Sequence, residues 1–149
     1  MVKKRILQSD FFEGYSLIGI VCGLPDFRMA YFINLQAHLN LKKYRDFSLA
    51  RDTKGAFSWY QHKNEELRRH YFLIQNKKDA AVLLPALRNF DYLLLLYGNI
   101  PSSYLEEILT ALRKTPYITA AFVQDLNKLK NGDLLIAQNE RHAPGHKAQ

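Results

Sequence analysis

Only one cysteine, Cys22, occurs in 149 residues, which excludes a disulfide framework and any site built on four thiolates. Long apolar runs are also missing: the longest strongly apolar stretch, residues 92–97, falls far short of the ~20 residues that span a bilayer. Lys3-Lys4-Arg5 is followed by only Ile6 and Leu7 before Gln8, whereas a secretory core needs about 7–15 apolar residues, so a charged arm is expected there. With one thiol and no export pattern, the expected compartment is the cytoplasm.

Familiar chemical signatures are lacking too. Gly14, Gly19 and Gly23 do not fit the dinucleotide fingerprint or a phosphate loop, and no Gly-Lys-Ser/Thr follows them. No His-Glu-x-x-His and no Gly-x-Ser-x-Gly is present. No catalytic residue, cofactor or metal site is therefore assigned.

What is present is an ordinary globular composition. Apolar residues make up 48% and aromatics 13%, which excludes a disordered chain. Lys and Arg number 21 against 14 Asp and Glu, a formal charge of +7. The length suits one domain, large enough to bury roughly 68–70% of its extended surface.

Residues 16–22 form a β-branched apolar run and read as a strand. Asp26 is placed to cap a helix in which Phe27, Ala30, Tyr31, Asn34, Ala37, His38 and Leu41 recur at helical spacing, ending near Asn40. Short strands are expected over 47–51, 56–62, 67–76 and 81–84. Residues 92–97 do not alternate, the mark of a central strand covered on both faces. Ser103 and Glu106 have capping-box spacing at the start of a second helix that Pro116 stops. Residues 117–123 form the last clear strand, 125–130 a helical turn, and 134–137 a short extended piece. The order β-α-β-β-β-β-β-α-β predicts an α+β domain over 1–137, with residues 138–149 a polar, loose tail. Its mostly antiparallel sheet has about five to seven strands, with two helices on one face.

Two helices cover only one side. Leu17 and Val21 point away from Ile18 and Ile20, and Leu93–Leu96 are equally two-sided, so something must cover the second face. A twin subunit, another protein and the chain's own terminal segments are the three possibilities.

The reactive side chains read mainly as structural. Cys22 precedes a helix start, where a dipole lowers a thiol pKa, but a small buried residue at a strand end is the commoner case. His142 and His146 lie in a Pro-Gly segment expected to be solvated. His38 is expected in the core, and His62 and His70 as possible cross-strand neighbours. Glu65-Glu66 and Glu106-Glu107 read as a turn and a helix start. Basic pairs, among them Lys42-Lys43, Arg68-Arg69, Lys77-Lys78, Arg113-Lys114 and Lys128 with Lys130, fall largely at turns. Together with Trp59, Tyr60, Tyr71 and Phe72 they offer a stacking sheet for RNA as one alternative.

Leu84-Pro85-Ala86-Leu87-Arg88-Asn89-Phe90-Asp91-Tyr92 resembles the signature of an uncharacterised bacterial family named for its motif, Ile-Pro-Glu-x-x-x-Val-Asp-Tyr. The resemblance extends over residues 8–136, through Phe11-Phe12, Asp26-Phe27-Arg28, Ala56-Phe57-Ser58 and Ala120-Ala121-Phe122. Leu84, Ala86 and Phe90 depart from the signature, while Pro85, Asp91 and Tyr92 match it. The resemblance brings no catalytic residue or cofactor with it. Physically, Pro85 ends an edge strand and Asp91 fixes a turn through nearby backbone N–H groups before Tyr92 begins the central strand.

The expected function is a non-enzymatic interaction module, homodimeric through the second face or edge of its sheet. The alternatives are a basic accessory protein that binds RNA or other nucleic acid, and a small-ligand binder or enzyme with a pocket near Cys22 and Asp91.

Overall fold

The computed structural model describes residues 12–49 and 56–144. Six strands form one antiparallel sheet: β1 (Tyr15–Cys22), β2 (Lys42–Lys43), β3 (Trp59–Asn64), β4 (Arg69–Gln75), β7 (Tyr92–Gly98) and β8 (Ile118–Gln124). Their order across the sheet is β2-β3-β4-β7-β1-β8. A separate two-stranded ribbon joins β5 (Lys77–Lys78) to β6 (Ala81–Val82), so the segment expected as an edge strand over 81–84 lies outside the main sheet. In place of the strand expected over 47–51 there is one bridge, Phe47 to Phe57; residues 50 and 51 lie outside the described residues.

The α+β class is as expected, with three helices among the described residues instead of two: α1 (Asp26–Ala37), α2 (Ser102–Arg113) and α3 (Gly132–His142). The first two pack on the front of the sheet, over Ile18, Ile20, Leu94 and Leu96. β7 lies between β4 and β1, and Leu93 to Leu96 are each fully buried, alternately against the front and rear layers. Truncating one such leucine to alanine costs about 2–5 kcal/mol.

The rear face is where expectation and structure part. Leu134 to Ala137, expected as extended, and Gln138 to His142, expected as a loose tail, form α3. Leu135 and Ile136 pack against Leu17, Trp59, Phe72, Leu93 and Leu95, and Phe47, Leu84, Leu87 and Leu126 complete the layer. The chain's own C-terminal segment and loops thus keep the second face dry. A subunit seated on that face is not required to bury these leucines.

Helix α1 also differs in register. Met29, Ala30 and Ile33 are its buried residues, while Phe27 and Tyr31, expected in the stripe, point outward. The helix ends earlier than expected, at Ala37, because His38 adopts a left-handed conformation (φ 59°) and closes the helix with its amide on the Asn34 carbonyl. His38 is exposed, not in the core. Neither expected cap forms: Pro25 and Pro101 occupy the N-cap positions of α1 and α2 and make no side-chain cap bond. Asp26 and Ser103 lie inside the first turns instead.

Among the described residues, no helix is long and apolar enough to cross a membrane.

Candidate functional site

The segment carrying Pro85, Asp91 and Tyr92 is a folded loop organised by Asn76, which the sequence suggested only as part of a polar turn. Asn76 is fully buried. Its Nδ2 donates to the Leu87 and Phe90 carbonyls, both at 2.9 Å, and its Oδ1 accepts from the Leu84 amide at 2.9 Å. Its backbone adds N–H to Asp91 O and O from Leu83 N–H, both at 2.8 Å. One side chain therefore supplies both signs of hydrogen bond to a loop that has no partner strand. Pro85 begins the short 3₁₀ turn Pro85–Leu87 within it. No apolar periodicity marks such a residue.

Asp91 joins this loop to the sheet. Its Oδ2 accepts from the Cys22 amide at 2.9 Å, and its Oδ1 lies 3.7 Å from Lys77 Nζ. The Asp91 amide bonds the Ile20 carbonyl at 2.8 Å. Phe90 lies over Gly19, where an added Cβ would fall 2.6 Å from the ring. Tyr92 is buried, and its hydroxyl donates to the Leu24 carbonyl just ahead of α1. Burial, then nearby carboxylates and the Cys22 thiol, push that hydroxyl well above the usual tyrosine range. Asp91 and Tyr92 are thus engaged with backbone at the junction of β1, β7 and α1, while Pro85 is exposed in its own short turn.

Cys22 and Asp91 are neighbours, but the geometry is that of a strand junction. Burial pushes the Cys22 thiol up, with Asp91 adding to the effect against the Leu24 amide, so the neutral thiol is favoured. Asp26, nearby, accepts from the Tyr60 hydroxyl at 3.0 Å and pairs with Lys43 at 3.4 Å. Burial opposes its ionisation, yet the Ser58 and Tyr60 hydroxyls and Lys43 hold its carboxyl below the usual range.

The histidines do not converge. His62 stacks on Tyr71 on the front of the sheet, whereas His70 lies against Phe72 on the rear and bonds Gln61 Oε1 at 2.6 Å. His142, expected in a solvated tail, is set among aromatics: its ring lies 4.6 Å from Trp59, 5.2 Å from Phe47 and 5.5 Å from Tyr44. His146 lies outside the described residues. Among the described residues, no three His, Cys, Asp or Glu side chains gather as a metal site. Tyr60 and Tyr71 are buried in the front layer and Trp59 and Phe72 in the rear one, so the four aromatics expected to stack on RNA are core residues of opposite faces.

Among the described residues, the large exposed apolar side chains include a row of three on α1; the others are Leu67, Tyr97, Tyr117, and Phe122 and Val123 of β8. Phe27 (65% exposed), Tyr31 (61%) and Leu35 (58%) succeed one another at four-residue steps. The ring of Tyr31 meets Phe32 at 5.3 Å, and Phe32 meets Tyr117, itself 60% exposed, at 6.0 Å. Arg28 lies over both Phe32 and Tyr117, 5.9 and 5.7 Å from their centroids. Of these residues, the sequence pattern places Phe27 and Tyr31 in the buried stripe of the helix and does not single out Phe32, Leu35 or Tyr117.

The adjoining edge of the sheet is guarded. Ile20 turns its carbonyl toward β7, so Ala121, its partner on β8, turns its backbone groups to the open side. Arg113 of α2 covers them, donating to the Ala121 carbonyl from Nη2 at 2.8 Å and Nε at 3.2 Å, with its guanidinium 5.7 Å from the Phe122 ring. At the other edge, β2 is two lysines long. Both are devices that discourage strand addition.

No known family model matches the chain, and a search of curated proteins returns no match.

Proposed function

We propose that this protein is a non-enzymatic interaction module that pairs with a second copy of itself through the outer face of α1 and Tyr117. The observation that carries the reading is the exposed stripe Phe27–Tyr31–Leu35 continuing through Phe32 to Tyr117. Exposed apolar residues scattered singly are ordinary, whereas a contiguous row on one helix face is the kind of patch that marks interaction sites, which supports this reading. Aromatic rings with one arginine among them are the composition of interface centres. Arg28 is the one charged side chain among these residues and already lies over two of the rings, so a copy of the same face meets it without opposed charge patches. Two such helices packed about a two-fold axis make a self-complementary contact. The rear face is occupied by α3, and Arg113 lies on the β8 edge, so neither competes as the contact surface.

Sedimentation velocity over a concentration series tests the reading. The wild type is expected to shift from monomer to dimer as concentration rises. A Tyr31→Glu, Leu35→Glu variant is expected to stay monomeric with an unchanged circular dichroism spectrum. A wild type that sediments as a monomer throughout, or a variant that still dimerises, would overturn it.

A further inference from the structure

The end of the sheet formed by β2, β3 and β4 bears two adjoining clefts that share Lys63 as a common wall. The first, of about 330 Å³, is bounded by Arg68, Arg69 and Tyr97; the second, of about 320 Å³, by Lys42, Lys43 and Tyr44. Five cations thus face the pair of clefts against one carboxylate, Glu65. Two of the five are partly committed: Lys43 pairs with Asp26, and Arg69 lies 3.7 Å over the Tyr104 ring while donating to the Asn99 carbonyl. Lys42, Lys63 and Arg68 form no ion pair with another described residue. Uncompensated cations around a concave surface attract anions, and the effect is strongest where low-dielectric walls focus the field.

The arrangement is built, not incidental. Arg68 takes a left-handed backbone conformation (φ 58°) at the β3–β4 turn, and its carbonyl accepts the Asn99 amide at 2.9 Å. Gly98 permits that approach: a Cβ there would fall 2.1 Å from the Arg68 carbonyl oxygen. Tyr97, the residue before it, is 44% exposed and rests on Tyr15 with ring centroids 4.4 Å apart, which leaves the phenol in the cleft wall. A ring beside a row of cations suits a flat, negatively charged polymer unit better than a bare anion. Each is an open depression at the small end of small-molecule sites, with room for an unpaired nucleotide to lie against it. Burial, with Lys63 and His62 adding to it, pushes the His70 pKa down to about 4. That wall is therefore a neutral hydrogen-bonding group at neutral pH.

We propose that this end of the sheet binds single-stranded nucleic acid, with Lys42, Lys63 and Arg68 on successive phosphates and Tyr97 stacking on a base. The site is separate from the α1 face, so its failure leaves the self-association reading untouched.

Fluorescence anisotropy with short labelled oligouridylate and oligothymidylate tests it. Three phosphate contacts predict affinity falling about tenfold between roughly 50 and 150 mM salt, from a slope near 0.7 per contact. A Lys42→Gln, Lys63→Gln, Arg68→Gln variant is expected to lose about tenfold or more at the lower salt and most of that salt dependence. A Lys114→Gln, Lys128→Gln, Lys130→Gln variant removes the same net charge elsewhere and is expected to bind within about twofold of wild type. Tyr97→Ala is expected to weaken binding severalfold while the salt slope stays. The ratio between the two oligomers assigns RNA or DNA. Equal losses in the two triple variants, no binding by the folded wild type, or binding to phosphatidylserine vesicles in place of both oligomers would each overturn the proposal.

Discussion

The indole N–H of Trp59 donates to Oδ1 of Asn139 at 2.8 Å, between two side chains that are both buried. This bond ties α3 to β3 in the middle of the rear layer, and it places a polar residue where an apolar one would ordinarily pack. Asn139→Ala leaves the indole donor without a partner, an unsatisfied buried group that costs about 1–3 kcal/mol. Trp59→Phe removes the donor. A double-variant cycle by urea unfolding is therefore expected to show the pair losing less than the sum of the single losses. Simple additivity would mean that the bond does not anchor the helix.

That same asparagine explains why α3 was not legible in the sequence. Its buried positions are Gly132, Leu135, Ile136 and Asn139, and the polar member breaks the apolar spacing after one turn. Leu134-Leu135-Ile136 then reads as a strand fragment, and the polar residues from Gln138 onward read as a tail. The sheet itself was legible, because alternation over 56–62 and unbroken apolarity over 92–97 report directly on how many faces are covered. α1 failed differently: it is apolar around most of its circumference, and tertiary packing, not spacing, selects Met29, Ala30 and Ile33. Phe27 and Tyr31 of the candidate interface therefore read as core from their spacing, while Phe32, Leu35 and Tyr117 carry no signal of their own. Asn76 and Arg113 act through single side chains on backbone groups distant in sequence or across an edge, and no pattern announces them.

The loop over 83–91 is expected to respond in a graded way. Asn76→Ala unpairs the Leu84 amide and the Phe90 carbonyl and leaves the Leu87 carbonyl only the Phe90 amide, a loss on the order of 3 kcal/mol. Asp91→Ala unpairs the Cys22 amide and costs about 1–3 kcal/mol, whereas Asp91→Asn keeps an acceptor and costs less. Hydrogen exchange is expected to show the loop opening first in Asn76→Ala. If Asp91→Asn proves as damaging as Asp91→Ala, the ion pair with Lys77 outweighs the bond to Cys22.

Gly19 and Phe90 form a size-matched pair across β1 and the loop. A methyl group at Gly19 would sit 2.6–2.7 Å from the ring carbons, so Gly19→Ala is expected to cost about 1–3 kcal/mol through overpacking. Adding Phe90→Val, which places a smaller side chain there, is expected to recover most of that loss. Thermal midpoints of the two single variants and the double variant decide it. No recovery would locate the strain elsewhere.

Stability is expected to depend on His70 in mildly acid solution. Its folded pKa lies near 4, and the unfolded value is that of a free imidazole near 6.5, so the unfolded chain binds the proton first as pH falls. The stabilising effect of neutral His70 is fully present above about 6.5 and declines as pH drops toward 4. Chemical denaturation of wild type and His70→Gln at pH about 7.5 and 5.5 is expected to show a wild-type decline that the variant partly lacks. His62 and His142, also pushed down by burial, act in the same direction. Parallel declines in both proteins would remove His70 from the account.

Site-specific photo-cross-linking bears most directly on the self-association reading. With benzoylphenylalanine in place of Tyr31, illumination of the purified protein is expected to trap a covalent dimer. With the same group in place of Glu66, on the exposed β3–β4 turn, the protein is expected to remain monomeric. Equal yields at the two positions, or no dimer from position 31, would contradict the assignment of the α1 face as the contact surface.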